Sequence, residues 1–285
     1  MKRLFILASA AIVALAACTK TEVVYKDALE QIAFKQITHV MTKSESLAEL
    51  DDELPLGVIA HYEEDVYFLN TEFAHDGTSS WTNTGKYWPY EGTLDFTVYA
   101  PYVEVATYSD NKLTISGIEA SNDLYYGVTR YLGTSKQNTV PVVLNHACAK
   151  LIVDLSGVDD LYRVNSVQFD GVNTGGNVIV TYTSNSVSVS TGNNPTTSNE
   201  ICFDGEDSSP VYVLPGNQTS FTISFTQENG NYDVDFTKTV ELTDAVWSAN
   251  TEYTYKIIIN NPNCISFSAK VNEWTSTNPV DKTVQ

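Results

Sequence analysis

The sequence predicts an all-β protein built as antiparallel β-sandwiches, and three observations carry that expectation. Strand-forming aromatics are abundant, with 17 Tyr and 11 Phe, while charged residues make up only 18% of the chain, a balance suited to half-buried pleated surfaces. Apolar side chains recur at period two in many short segments bounded by Gly, Asn, Asp, Ser or Pro, as strands joined by tight turns require. The apolar content of 42% is too high for disorder, and 285 residues suffice for one large or two medium domains with proper cores.

In chain order, Lys2 and Arg3 precede an apolar run of 14 residues, Leu4 to Ala17, broken only by Ser9. Such a run is too short to span a bilayer as a helix and reads as a secretory signal. It ends in Leu15, Ala16, Ala17, Cys18, which resembles a bacterial lipobox, in which small residues admit the signal peptidase and the thiol receives diacylglycerol. Residues 1–17 are therefore expected to be a lipoprotein signal peptide and Cys18 the lipidated terminus, holding the chain at a membrane by its acyl chains. The mature chain would carry 14 basic and 35 acidic residues, a net charge of -21. Nucleic-acid backbones and anionic membrane surfaces are repelled by such a charge.

Residues 19–30 read as a polar tether. Over 29–43, Leu29, Ile32, Ala33, Ile37, Val40 and Met41 fit helical spacing and predict a helix, although Ile32 and Phe34 also alternate as in a strand. Ser46 with Glu49 resembles a small capping box, followed by the acidic loop Asp51, Asp52, Glu53 and Pro55. Val58, Ala60 and Tyr62, then Val66 and Phe68 after the turn Glu63 to Asp65, predict a hairpin. Leu94, Phe96, Val98 and Ala100 give another alternating face, and Leu113 with Ile115 a short strand after the turn Ser109 to Lys112. The polar stretch Gly133 to Asn138 is the best linker and places a boundary between an N-terminal domain, 44–138, and a C-terminal domain, 139–285.

Beyond that stretch Val140 to Leu155 reads as one long strand-like run, and Val178, Val180 and Val187, Val189 flank the turn Ser184 to Ser186. Phe221, Ile223, Phe225 and Tyr232, Val234, Phe236 alternate around Glu228 to Asn231, the clearest hairpin in the chain. Tyr253, Tyr255, Ile257, Ile259 and finally Ile265, Phe267, Ala269, Val271 complete the strands.

Signatures of catalysis are missing. His39, His61, His75 and His146 offer no H-E-x-x-H or other tight ligand spacing, and there is no G-x-S-x-G elbow, phosphate-binding loop or dinucleotide fingerprint. Asp159, Asp160 and Asp233, Asp235 lack the framework of a calcium loop and read as solvated faces. Cys148, Cys202 and Cys264 form no C-x-x-C and read as small buried apolar residues, with a disulfide between one pair left open. Trp81, Tyr87, Trp88 and Tyr90 cluster within ten residues. A packed aromatic corner is the preferred reading, with a sugar-stacking platform on Trp81 and Trp88 as the alternative. No enzyme, cofactor or metal is expected.

Several of these stretches, taken together, resemble one family. Tyr87, Trp88, Pro89 with Leu94, Asp95, Phe96, Val98, Tyr99, Ala100, Pro101 is similar to the Y-W-P...L-D-F-x-A-Y-x-P signature of the fimbrillin-like family of Bacteroidales, the type V pilins. Asp123 to Tyr126 resembles its D-L-L-Y stretch, and Val142, Leu144, His146, Ala147, Ala149, Lys150, Leu151 its F-x-H-x-x-A-K-I strand. Trp247, Tyr253, Tyr255, Ile265, Phe267, Val271 and Trp274 resemble its closing pattern.

The resemblance implies two transthyretin-like β-sandwich domains in a lipoprotein precursor carried to the outer membrane and polymerised at the cell surface into a fimbrium. It implies partners too: a trypsin-like processing protease and other fimbrial subunits. In that family an N-terminal strand is cut away after a basic residue, and a neighbour's C-terminal strand fills the apolar groove by β-augmentation. Lys43, where the family often has Arg, is the implied cleavage position. No Arg lies between Arg3 and Arg130, so an Arg-specific protease would pass over this site. The likeness turns 29–43 into a strand with Ile32 and Phe34 inside the first sandwich. It makes Ile265, Phe267, Ala269 and Val271 the candidate donor strand. The rival expectation is a monomeric surface lipoprotein that binds glycans through Trp81 and Trp88.

Overall fold

The computed structural model describes residues 30–40, 47–51, 53–62, 65–89, 91–132, 140–183, 186–198, 201–204, 209–230 and 232–273. Its strands are β1 (Gln31–Val40), β2 (Leu47–Glu49), β3 (Leu56–Tyr62), β4 (Asp65–His75), β5 (Trp81–Tyr87), β6 (Thr93–Ala100), β7 (Ala106–Ser109), β8 (Lys112–Glu119), β9 (Tyr125–Leu132) and β10 (Val140–His146). There follow β11 (Ala149–Val158), β12 (Tyr162–Phe169), β13 (Val172–Tyr182), β14 (Val187–Thr191), β15 (Thr196–Ser198) and β16 (Ile201–Asp204). The last are β17 (Val211–Val213), β18 (Gly216–Gln227), β19 (Val234–Trp247), β20 (Thr251–Asn261) and β21 (Cys264–Glu273). The 3-10 turn Ala120–Asn122 separates β8 from β9. Among the described residues no helix is long and apolar enough to cross a membrane.

Period-two burial shows why these segments are strands. In β10, Val140, Val142, Leu144 and His146 face inward while Pro141 and Val143 face solvent. In β11, Ala149, Leu151 and Val153 do the same. Two-residue hairpins need a left-handed backbone, which Asn and Asp tolerate; Asp110 and Asn111, at φ 51° and 58°, supply it between β7 and β8.

The first sheet has eight strands in the order β10-β9-β6-β3-β4-β5-β1-β2, and an additional parallel pairing of β1 with β10 closes it on itself. Its inner face packs Ile32, Phe34, Leu56, Val58, Phe73, Phe96 and Leu144, all at most 1% exposed. The second sandwich faces the sheet β17-β11-β20-β21 against the sheet β16-β12-β18-β19, around Leu151, Phe169, Phe221, Phe225, Trp247, Tyr255 and Ile257.

A further sheet joins the two. Its path β14-β13-β8-β7, with β15 on β13, pairs a strand from each half of the chain. It covers the outer face of the first sheet, burying Ile59, Tyr99 and Tyr126 against Leu113, Ile115, Val178 and Val180. This explains why β3 and β6 are apolar on both faces, as sheets covered on two sides require. It also explains Gly57, where a Cβ would lie 2.1 Å from the Tyr99 ring.

Three expectations are corrected. Residues 31–40 are strand and not helix. Residues 47–49, the body of the expected capping box, pair antiparallel with Thr38–Val40 instead of starting a helix. The run Val140 to Leu155 is two strands in different sheets, broken at Ala147 and Cys148. The polar stretch 133–138 lies outside the described residues. On its C-terminal side, β10 is hydrogen-bonded into the first sheet. The expected hairpins are present, β3 with β4, β13 with β14, and β18 with β19. In the last of these Tyr232 and Val234 remain 80% and 45% exposed, because they stand at the free end of an edge strand.

In the second core, Trp247 Nε1 donates to the Tyr255 hydroxyl at 2.8 Å, and both side chains are 2% exposed. Removing a buried acceptor leaves the donor with its full desolvation cost. Tyr255→Phe is therefore expected to lower unfolding stability by about 1–3 kcal/mol, read from urea denaturation followed by Trp fluorescence. An unchanged midpoint would show that this hydrogen bond is dispensable.

Candidate functional site

Strand β1 occupies a slot in the first sheet. On one side it runs parallel to β10, from Phe34 opposite Val140 to His39 opposite Leu144. On the other it pairs antiparallel with β5 and then β2. Among the described residues it is the link between β5 and β10, so the closure of the sheet rests on it.

A bulge sets its inward face. The register with β10 shifts between Phe34 and Ile37, and Gln36 takes a left-handed φ of 55°. One extra residue restores the inward direction after Phe34, so Ile32, Phe34 and Ile37 all enter the core. Phe34 sets its edge against Phe73 and Phe96 at 5.1 and 5.3 Å. Each buried aliphatic or aromatic side chain of this kind contributes about 1.5–3 kcal/mol.

Both ends of the strand are tied down. At the start, the Trp88 amide donates to the Glu30 carbonyl at 2.9 Å. At the finish, His146 Nε2 lies 2.9 Å from the Val40 carbonyl, while Nδ1 lies 2.5 Å from Asp123 Oδ2. His146 and Asp123 are 4% and 5% exposed. Both ring nitrogens face oxygens, whereas a neutral imidazole carries one N–H. The Val40 carbonyl can only accept, so Nε2 donates to it, and Nδ1 faces the Asp123 carboxyl. Asp123 is itself oriented by the Leu124 amide, which donates to Oδ1 at 2.8 Å.

The groups around this pair are held neutral. His39 packs edge-on to His146 at 5.2 Å and against Tyr125 at 5.0 Å. Burial, and then the charge on His146, push its pKa below the ordinary 6.5. Burial likewise pushes the Tyr125 phenol and the Cys148 thiol well up, with Asp123 adding to both. The cluster joins residues distant in sequence, which is why no spacing pattern exposed it. Asp123 and His146 stood out separately, each within a family-like stretch, and His146 as one of four histidines without ligand spacing.

Other sequence candidates fall elsewhere. Cys18 and Lys43 lie outside the described residues. Trp81 and Trp88 are 4% and 5% exposed, which overturns their reading as sugar contacts. Trp81 donates its indole N–H to the Leu54 carbonyl at 2.8 Å, and Trp88 stands edge-on to Phe96. They wall the slot as a packed aromatic corner.

Ile265, Phe267, Ala269 and Val271 are half-buried on β21, the edge strand of their own sandwich. Phe267 stands edge-on to Phe221 at 5.5 Å. Cys148, buried, and Cys264, exposed, are free thiols. Asp159, Asp160, Asp233 and Asp235 are exposed. Among the described residues no three His, Cys, Asp or Glu converge on a metal position.

A fimbrillin-like family model matches residues 40–274. No curated protein sequence matches the chain. Among solved structures, a candidate cell adhesion protein of Bacteroides ovatus aligns over 88% of this chain and 100% of its own, with 13% identity and a TM-score of 0.58. A candidate cell adhesion protein of Bacteroides uniformis aligns over 86% and 100%, with 19% identity and a TM-score of 0.49. The tip fimbrial protein Mfa3 of Porphyromonas gingivalis, truncated at its C-terminus, aligns over 86% and 100%, with 12% identity and a TM-score of 0.40.

Two measurements check the clamp. His146→Phe removes the ring nitrogens that face the Val40 carbonyl and Asp123 Oδ2, and a loss of about 3 kcal/mol or more is expected at neutral pH. His39 has a lowered pKa in the folded state, so below pH 6.5 the unfolded chain takes up a proton that the folded chain resists. Stability should therefore fall as the pH drops through that value. His39→Gln should flatten this part of the profile in urea titrations. An identical pH dependence in the variant would count against the assignment.

Proposed function

This chain belongs to the fimbrillin-like family, and from that premise we propose that it is a structural subunit of a cell-surface fimbrium. It is exported as a lipoprotein precursor, acylated at Cys18, held at the outer membrane and cut after Lys43 by a trypsin-like protease. It then polymerises with other fimbrial subunits by exchange of strands.

The observation that carries this reading is the position of β1. It is a strand with fully buried side chains and both edges hydrogen-bonded, and it ends three residues before Lys43. Cleavage there would free β1 from the rest of the chain. Its departure would open pockets for three apolar side chains between the unpaired edges of β5 and β10. An open slot of this kind recruits an extended segment, with backbone hydrogen bonds supplying affinity and alternate side chains supplying register.

The pattern of β21 supports its role as donor. Ile265-Ser266-Phe267 repeats the spacing of Ile32-Ala33-Phe34, and β21 lies at the edge of its sheet with one neighbour, β20, to leave. A subunit that receives one strand and donates another makes a head-to-tail contact that does not close, which builds a filament. The glycan-binding rival finds no support in Trp81 and Trp88, which are buried.

The test is the N-terminal sequence and native mass of protein sheared from producing cells. A start at Ser44 with a ladder of multimers is expected, and Lys43→Ala should leave precursor monomers. A lipidated Cys18 terminus on a monomer, or a ladder that survives Phe267→Asp in a folded protein, would overturn the mechanism.

A further inference from the structure

Where the third sheet pulls away from the first, an open cleft of about 1000 Å³ remains between them. That is the upper end of the range for small-molecule sites, which favour seams between packed units. One wall is the outer face of the first sheet, with His61 of β3, Asp95 of β6 and Val128 of β9. The other is built by Tyr108 of β7, the Asp110–Asn111 turn, and Tyr182 of β13. Tyr182 joins the second wall from the C-terminal half of the chain, so the cleft exists only in the assembled fold. Its described lining contains no residue of β1, β5 or β21, and its occupancy is independent of the strand exchange proposed above.

Three features define what it would bind. First, flat rings line it: Tyr108 lies 4.8 Å from His61 and 6.4 Å from Tyr182, tilted 51° and 34°. Half-buried Tyr rings offer apolar faces with polar edges. Second, the Tyr182 hydroxyl is sealed from water and has no hydrogen-bond partner among the described residues. Tyr182 therefore offers a ligand its ring and not its hydroxyl.

Third, the wall accepts hydrogen bonds and repels anions. Asp95 and Asp110 are carboxylates, burial holds His61 toward its neutral form, and the described lining includes no Lys or Arg. Phosphate, sulfate and carboxylate ligands are disfavoured there. Around this polar floor Val66, Val128 and Val187, each 43–55% exposed, form an apolar mouth. A ligand that matches has many hydroxyl donors, weakly apolar faces and no negative charge.

We propose that this cleft binds a neutral saccharide, stacked on Tyr108 and Tyr182 and hydrogen-bonded through Asp95 and His61. Sugar C–H faces meet the rings and the apolar mouth, and ring hydroxyls donate to the Asp95 carboxylate.

The test is calorimetric titration of the full mature chain with a panel of neutral oligosaccharides of glucose, mannose, xylose and N-acetylglucosamine. Oligogalacturonate and oligolysine serve as anionic and cationic probes. Saturable, salt-insensitive binding of at least one neutral oligosaccharide is expected, weakened about tenfold or more by Tyr108→Ala. Val128→Trp, a change at a 52% exposed position that fills the mouth without touching the core, should weaken it too while leaving the unfolding midpoint unchanged. Binding of no neutral member, neutral binding that both variants retain, or salt-sensitive binding of oligolysine alone would each overturn the assignment.

Discussion

The parallel pairing of β1 with β10 is the contact on which the rest of the first sandwich depends. A sheet of this size exposes two edges unless it closes, and unpaired edges seek partners. Here closure is achieved by one N-terminal strand laid between β5 and β10, with Ile32, Phe34 and Ile37 filling the interior. The inner faces of β3, β6 and β10 are apolar because they receive those side chains. Trp81 and Trp88 are buried because they wall the same space. The strand is local in sequence, yet the core it completes is drawn from residues spread over more than 100 positions.

A second constraint couples the halves of the chain. Pairing β8 with β13 places a strand of each half in one sheet, and that sheet seals the outer face of the first. The His146 and Asp123 pair lies close to this junction, where β10 ends and the chain crosses to β11. A buried pair of this type is costly to form and more costly to break. It fixes the direction in which β1 leaves the core, since its far nitrogen holds the Val40 carbonyl. The seam between the two outer layers also leaves the cleft, so one arrangement of sheets produces both a closed slot and an open one.

Strands with strict alternation were legible in the residues. The hairpins at β3 and β4, β13 and β14, and β18 and β19 could be read because period two and turn residues are encoded within contiguous stretches. β1 was misread by periodicity for a definite reason. Its bulge at Gln36 inserts one residue, and inward positions 32, 34 and 37 then mimic the three-to-four spacing of a helix. Resemblance to a family, read from Tyr87, Trp88, Pro89 and the strand after them, supplied the strand where periodicity failed. The break at Ala147 and Cys148 was invisible because both residues are small and buried and continue the apolar pattern on either side.

The sequence by itself determined that the chain is strand-rich and which segments pair as hairpins, and its motifs pointed to the family. These are properties of neighbouring residues. The tertiary structure decided which strand closes the first sheet, that Trp81 and Trp88 face inward, and that His146 meets both Asp123 and Val40. The bond from His146 to Val40 spans 106 positions. Alternation states that a side chain has an inner face, but only the packing of distant strands decides what that face touches.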